Sequence, residues 1–183
     1  MLKMQIKDIK KENYDRVSYI YKQGIETNLA TFQNECPTFE EWDNSHYKFC
    51  RFGMFDKENL IGWIALTPVS SRCVYSGLAE ISIYIDNKYK GKGVGQTLLN
   101  HLIEQSELNG IWTLQAGIMQ NNLSSINLFK KCGFREVGYR ENIGRDKFGN
   151  WRNTILMERR SLLPEFNIEE KINDGTSCDK QCR

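Results

Sequence analysis

At 183 residues, 40% apolar and 26% charged, the chain has the length and composition of one globular domain and is too short for two comfortable ones. A net charge of only +2, with no apolar run of spanning length and no apolar N-terminal leader, leads us to expect no nucleic-acid partner, no membrane and a cytoplasmic setting. Six cysteines are scattered apart from Cys178 and Cys182, and no Cys-x-x-Cys pair suggests zinc, so free thiols and no metal are expected.

Met4, Ile6 and the alternation to Ile9 predict a first strand. A helix over about 12–26 follows, with Tyr14, Val17, Ile20 and Tyr21 on one face. Residues 27–37 lack a clean period and read as a loop, in which Phe32 either lines a pocket or packs on the core. Thr38 and Glu41 form a capping box that starts a second helix containing Trp42. Phe52, Met54, an Asp-Lys-Glu-Asn turn and the apolar run 60–66 read as a hairpin. Residues 68–75 interrupt the sheet pattern. Arg72 and Tyr75 stand out there, Arg72 being either a solvated charge or a bidentate clamp for carboxylate or phosphinate. Over 78–85 a strand alternates, with Ala79, Ile81, Ile83 and Ile85 on one face and Glu80, Ser82 and Tyr84 on the other.

Next comes Lys90-Gly91-Lys92-Gly93-Val94-Gly95-Gln96, in which three glycines let successive amide N–H groups converge on one small volume. Val94, Leu98, Leu99, Leu102 and Ile103 repeat at helical spacing, so this turn lies at a helix N-terminus, which favours an anion. Lys88, Lys90 and Lys92 add the charge that suits a pyrophosphate. No Gly-Lys pair is followed by Ser or Thr, which excludes a Walker loop. The dinucleotide fingerprint also fails, because its third glycine would fall on Gln96 or Leu98.

A strand over 112–119 is expected parallel to 78–85 across this helical crossover. Asn121-Asn122-Leu-Ser-Ser then starts a helix over 123–131 that Gly133 ends. Two strands, 135–139 and 152–158, flank a loop over 144–151. The expected domain is 1–160, with 161–183 a polar, mobile tail.

The glycine turn resembles the Gln/Arg-x-x-Gly-x-Gly/Ala signature by which GCN5-related N-acetyltransferases (GNAT) hold the pyrophosphate of acetyl-coenzyme A, with lysine in the arginine place. Asn122 followed by Leu128-Phe129-Lys-Lys-Cys-Gly133-Phe134 resembles a second segment of that superfamily. More narrowly, Glu26-Thr-Asn-Leu-Ala-Thr-Phe32, Pro37-Thr-Phe-Glu-Glu-Trp42, Arg72 with Tyr75, Ala79-Glu80-x-Ser82-x-Tyr84 and Lys147-Phe-Gly149-x-Trp151 look like the phosphinothricin and methionine sulfoximine N-acetyltransferases.

The resemblance implies an α/β (α+β) GNAT fold, a mixed and mostly antiparallel sheet splayed open between the strands at 78–85 and 112–119 and flanked by helices. Acetyl-coenzyme A would lie in the split, with pantetheine along Ile83 and Ile85. Lys90, Gly91, Lys92, Gly93, Val94, Gly95 and Gln96 would hold its pyrophosphate, and Asn122, Ser125 and Phe129 would complete the site. Homodimers are common among these relatives, and one is expected here.

Acetyl transfer needs a neutral amine nitrogen, a stabilised oxyanion and a proton for the leaving thiolate. Glu80 matches the family's base, and a backbone N–H near Ile83 is the natural oxyanion donor. Phe129 stands where relatives carry Tyr or His and cannot donate a proton. Tyr84, water or an unassisted thiolate would then serve, in direct attack without a cysteine intermediate. Arg72 and Tyr75 would bind an acidic group of the acceptor, with Phe32 and Lys147 closing the pocket. Asn153 departs from the aspartate usual in this branch.

The leading expectation is an acetyltransferase acting on a small amino acid or an analogue such as phosphinothricin, methionine sulfoximine or methionine sulfone. One rival keeps the chemistry and changes the amine acceptor; Arg72 argues against a cationic one. The other, motivated by Phe129, is a module that binds acyl-coenzyme A without turnover; Glu80 argues for catalysis.

Overall fold

A computed structural model describes residues 4–167. Cys178, Cys182 and most of the expected tail lie outside them. The elements in order are β1 (Met4–Asp8), α1 (Tyr14–Glu26), α2 (Phe39–Ser45), β2 (Phe52–Asp56), β3 (Asn59–Pro68), β4 (Leu78–Ile85), α3 (Val94–Leu108), β5 (Thr113–Met119), α4 (Leu123–Lys131), β6 (Arg135–Arg145) and β7 (Trp151–Arg160). The strands form one sheet in the order β1-β2-β3-β4-β5-β7-β6, antiparallel throughout except for β4 and β5.

β3 is the sheet's spine, and its alternation supplies both cores. Ile64 and Leu66 pack with Leu98, Leu99 and Leu102 of α3. Trp63 and Ala65 pack with Tyr14, Val17 and Ile20 of α1 and Trp42 of α2. The α2 capping box forms as its sequence predicts, Thr38 Oγ1 accepting from Glu41 N–H. Each side of the sheet is thus covered by helices.

The join of β4 and β5 is where the sheet fails. The two strands pair in parallel only at Leu78 with Thr113, Ala79 with Leu114 and Glu80 with Gln115. Beyond Glu80, β4 stays in register with β3 out to Ile85, while β5 stays in register with β7 out to Met119. The two halves of the sheet therefore diverge, as the resemblance implied. The short ladder is anchored at Gly77, whose carbonyl accepts from the N–H groups of Trp112 and Thr113. A Cβ at Gly77 would overlap the Trp112 indole. Gly77→Ala is accordingly expected to destabilise the protein by about 1–3 kcal/mol through overpacking, read as a lower urea midpoint at unchanged m.

Two expectations need correction. β6 and β7 run further toward each other than 135–139 and 152–158, leaving only residues 146–150 between them. The pattern breaks because the register shifts between Arg140 and Gly144, where Asn142 adopts φ 48° and donates its N–H to Asn153 Oδ1 at 2.7 Å. A bulge of this kind disrupts the alternation that a sequence reading relies on. The cysteines also divide: Cys36, Cys50 and Cys132 are free thiols, whereas Cys73 is in a disulfide.

Candidate active site

The split opens into two adjoining cavities, one of about 680 Å³ and one of about 350 Å³, which share Leu29, Ala30, Ile83, Tyr84, Asn122 and Ser125 as walls. The larger runs from Ile83 and Ile85 to the glycine turn and is lined by Lys90, Gly91, Gly93, Val94, Gly95 and Gln96. The smaller reaches the apex of the split and is lined by Phe32, Glu80, Gly117 and Phe129 among others.

Local chemistry builds the glycine turn. Asp86, almost fully buried, donates its N–H to Ile61 O, pairs with Arg16 through Oδ2, and caps the next turn by accepting from Lys88 N–H at 2.9 Å. The chain thus leaves β4 in a fixed direction. Gly91 and Gly93 have φ of 74° and 81°, with open space where a Cβ would stand, so glycine is needed there for conformation and not for room. Gly93→Ala is therefore expected to cost about 1–2 kcal/mol of stability by forcing alanine into the left-handed region, measurable by urea unfolding. Thr97 N–H donates to Gly93 O, so the preceding amides of the first turn of α3 are left for a ligand. Lys90 and Lys131 flank that turn on the cavity wall.

Gly95 faces Leu128 of α4, and a Cβ would lie 3.1 Å from Leu128 Cδ2 and 3.8 Å from Ile85 Cγ1. The cavity floor is therefore the contact between α3 and α4. Asn122 caps α4, its Oδ1 accepting from Ser125 N–H at 3.3 Å, while its Nδ2 donates to Leu29 O at 3.2 Å. One side chain thus joins α4 to the loop after α1.

At the apex, Glu80 belongs to the last pair of the parallel ladder, and its Oε2 accepts from Gln115 Nε2 at 3.0 Å. Tyr84, two steps along the same face, donates its phenol to Ala30 O at 3.3 Å and packs edge-on against Tyr21 with ring centroids 4.7 Å apart. Burial, reinforced by Tyr21, pushes the Tyr84 phenol far above its usual range, and burial also raises Tyr21. Both phenols stay protonated near neutral pH, and Tyr84 lines both cavities. Phe129 is 1% exposed and packs edge-on with Phe134, a hydrophobic wall with no proton to offer.

The roof of the smaller cavity is the loop after α1, held by the β6–β7 hairpin. Phe32 packs over Gly144, where a Cβ would approach its ring to 3.0 Å. Asn28, in the left-handed region at φ 54°, donates through Nδ2 to Asp146 Oδ2 at 3.0 Å. Phe148 and Asn150 N–H groups donate to Asp146 Oδ1, and Arg152 Nη2 donates to Asn121 Oδ1 at 3.2 Å. The Asn28 hydrogen bond holds the Asp146 carboxyl below the usual carboxylate range against the opposing effect of burial.

Most of the residues singled out in the sequence therefore converge, but four do not. Arg72 lies with its guanidinium 5.5 Å from the Tyr75 ring centroid, on the turn that feeds β4, and neither residue lines the two cavities. Lys92 stacks over Tyr89, itself a wall of the larger cavity, and Lys147 over Phe148, and neither lysine lines a cavity. Gln115, Lys131, Tyr21 and the Leu29–Ala30 backbone were missed. The polar face of the 113–119 strand was a legible signal for Gln115; the others depend on contacts far apart in sequence.

Comparison with known proteins agrees with this geometry. The sequence model of the acetyltransferase (GNAT) family matches residues 14–134. A phosphinothricin N-acetyltransferase of Alcaligenes faecalis is 30% identical over 161 residues, covering 84% of this chain and 81% of its own. An L-methionine sulfoximine/L-methionine sulfone acetyltransferase of Pseudomonas paraeruginosa is 34% identical over 84 residues, 46% of this chain and 48% of its own. The crystal structure of a GNAT superfamily phosphinothricin acetyltransferase from Sinorhizobium meliloti, in complex with AcCoA, matches with a TM-score of 0.80 at 25% identity over 100% of both chains. Because the family match spans well over half of its length, the chain belongs to the acetyltransferase (GNAT) family.

Proposed function

We propose that the protein transfers an acetyl group from acetyl-coenzyme A to the amino group of a small amino acid or analogue of the phosphinothricin or methionine sulfoximine type. The observation that carries this reading is the position of Glu80, a carboxylate at the apex of the split, in the wall of a 350 Å³ cavity that shares walls with the larger one.

The residues of the larger cavity fit acetyl-coenzyme A: left-handed glycines, free first-turn amides and two lysines suit a pyrophosphate, and the edge of β4 at Ile83 and Ile85 suits the amides of pantetheine. When bound, acetyl-coenzyme A supplies an activated acyl thioester. Glu80 accepts the proton of the acceptor ammonium, directly or through water, and frees the nitrogen lone pair for attack. An N–H near Ile83 stabilises the developing oxyanion. Burial makes the Tyr84 phenol a poor acid and its hydroxyl already donates to Ala30 O, so the departing thiolate leaves without help from it and takes its proton from water, as a thiol is already acidic.

Among the described residues, the walls of the smaller cavity carry Glu80 and no lysine or arginine. The acid group of an amino-acid acceptor therefore needs a cation from outside those walls, the part we assign to Arg72, with the Tyr75 hydroxyl as a second donor and Lys147 closing the pocket. A homodimer belongs to this reading, supported by the exposed Tyr139, Ile143, Phe148 and Trp151 of the β6–β7 hairpin. None of the described helices is long and apolar enough to cross a membrane. For the compartment the cysteines speak both ways: three free thiols suit the cytoplasm, and the Cys73 disulfide suits an oxidising setting.

The test is acetyl-coenzyme A consumption against phosphinothricin, methionine sulfoximine, methionine sulfone, ordinary amino acids and polyamines. Turnover with the acidic amino acids, weakened in Arg72→Ala, is the expected result. Turnover confined to polyamines would transfer the reading to another acceptor, and tight cofactor binding without any turnover would favour a sensing module.

A further inference from the structure

The two oxygens of Glu80 are not equivalent. Oε2 accepts from Gln115 Nε2 at 3.0 Å across the last pair of the parallel ladder. Oε1 lies toward Gly117, two residues further along β5, where it is the nearest heavy atom to the site of an added Cβ at 4.0 Å. Gly117 lines the same cavity and has no side chain to cover that oxygen. The backbone of Gln115 is fixed from the other side, since β5 pairs with β7 at this position, Gln115 opposite Glu158. A half-buried carboxylate on a flexible stem would otherwise sample several rotamers and offer either oxygen.

We propose that Gln115 is the positioning residue of Glu80: its amide holds Oε2 in place so that Oε1 alone is presented, over the bare Gly117, to the acceptor amine. This rests on the assignment of Glu80 as the base. The neutral amide suits the task, because it donates to the carboxylate without forming an ion pair that would weaken it as a proton acceptor. No bond is made or broken at Gln115; the proton passes from the acceptor nitrogen to Glu80 Oε1.

The experiment is steady-state kinetics on the full chain with the best acceptor found, comparing Gln115→Met, which keeps length without a donor, and Gln115→Asn, whose amide is one methylene too short. Both should lower kcat about 10-fold, with the KM for acetyl-coenzyme A within twofold of the parent and an unchanged Tm. In a Glu80→Gln background, followed by thiol release at high enzyme concentration, Gln115→Met should add less than a twofold loss. Should the methionine variant fail to fold, the asparagine variant carries the same comparison. A kcat within twofold of the parent in the folded variants overturns the proposal, as does a full additional loss on top of Glu80→Gln, which would mark Gln115 as acting by another route. Full activity in Glu80→Gln alone defeats the base assignment itself, and the positioning role with it.

Discussion

Replacing Glu80 by glutamine is expected to lower kcat by about 10²–10⁴-fold, the usual range for removing a general base, while acetyl-coenzyme A binds as before. The substitution keeps shape and volume, and the group sits in the wall of the smaller cavity, away from the glycine turn that suits the cofactor. Binding and chemistry should therefore separate cleanly: calorimetric titration with acetyl-coenzyme A gives the parent Kd, and thiol release collapses. Raising the pH increases the fraction of acceptor already present as free amine, so activity of the variant should climb with pH more steeply than that of the parent. A rise in Kd together with the fall in kcat would show instead that Glu80 shapes the cleft.

Gly95→Phe is the complementary experiment, expected to abolish cofactor binding and leave the acceptor side intact. A Cβ at this position is already tight against Leu128, so a phenyl ring must either push α4 away from α3 or project into the 680 Å³ cavity. Since α4 is fixed by the Asn122 cap and by buried Ile126 and Phe129, the ring takes the cavity. Acetyl-coenzyme A affinity should fall on the order of 100-fold or more, about 2.7 kcal/mol. Gly95→Ala sets the control, because the neighbouring Leu128 side chain needs to give only a few tenths of an ångström. An unchanged Kd in the phenylalanine variant would move the cofactor out of this cavity.

How much of this was legible in the sequence depends on whether the signal was local. The strand 78–85, the helix 123–131 and the Thr38 capping box match the structure residue for residue, because alternation, helical spacing and caps are properties of neighbouring residues. The glycine turn was legible for the same reason. The β6–β7 hairpin was read too short, because Asn142 adopts a left-handed conformation and Asn153, a strand residue, hydrogen-bonds to its N–H. Gln115 gave a strand pattern but no hint of its partner, since Glu80 lies 35 positions earlier in the chain, on the far side of the crossover helix. Arg72 and Tyr75 show the converse limit: their residue types suggested a clamp, yet their turn leaves them outside the cavity walls.

The shortness of the parallel ladder has one more consequence. A strand with an unpaired side is normally found at the rim of a sheet, where it invites other chains to add to it. Here two such sides, on β4 beyond Glu80 and on β5 beyond Gln115, face each other indoors, with helices on both faces of the sheet to keep foreign polypeptide out. What the slot admits is slender and carries its own amides, as pantetheine does. On that reading the sheet is finished only while the acyl donor is bound, and each turnover completes the molecule's architecture and then takes it apart again.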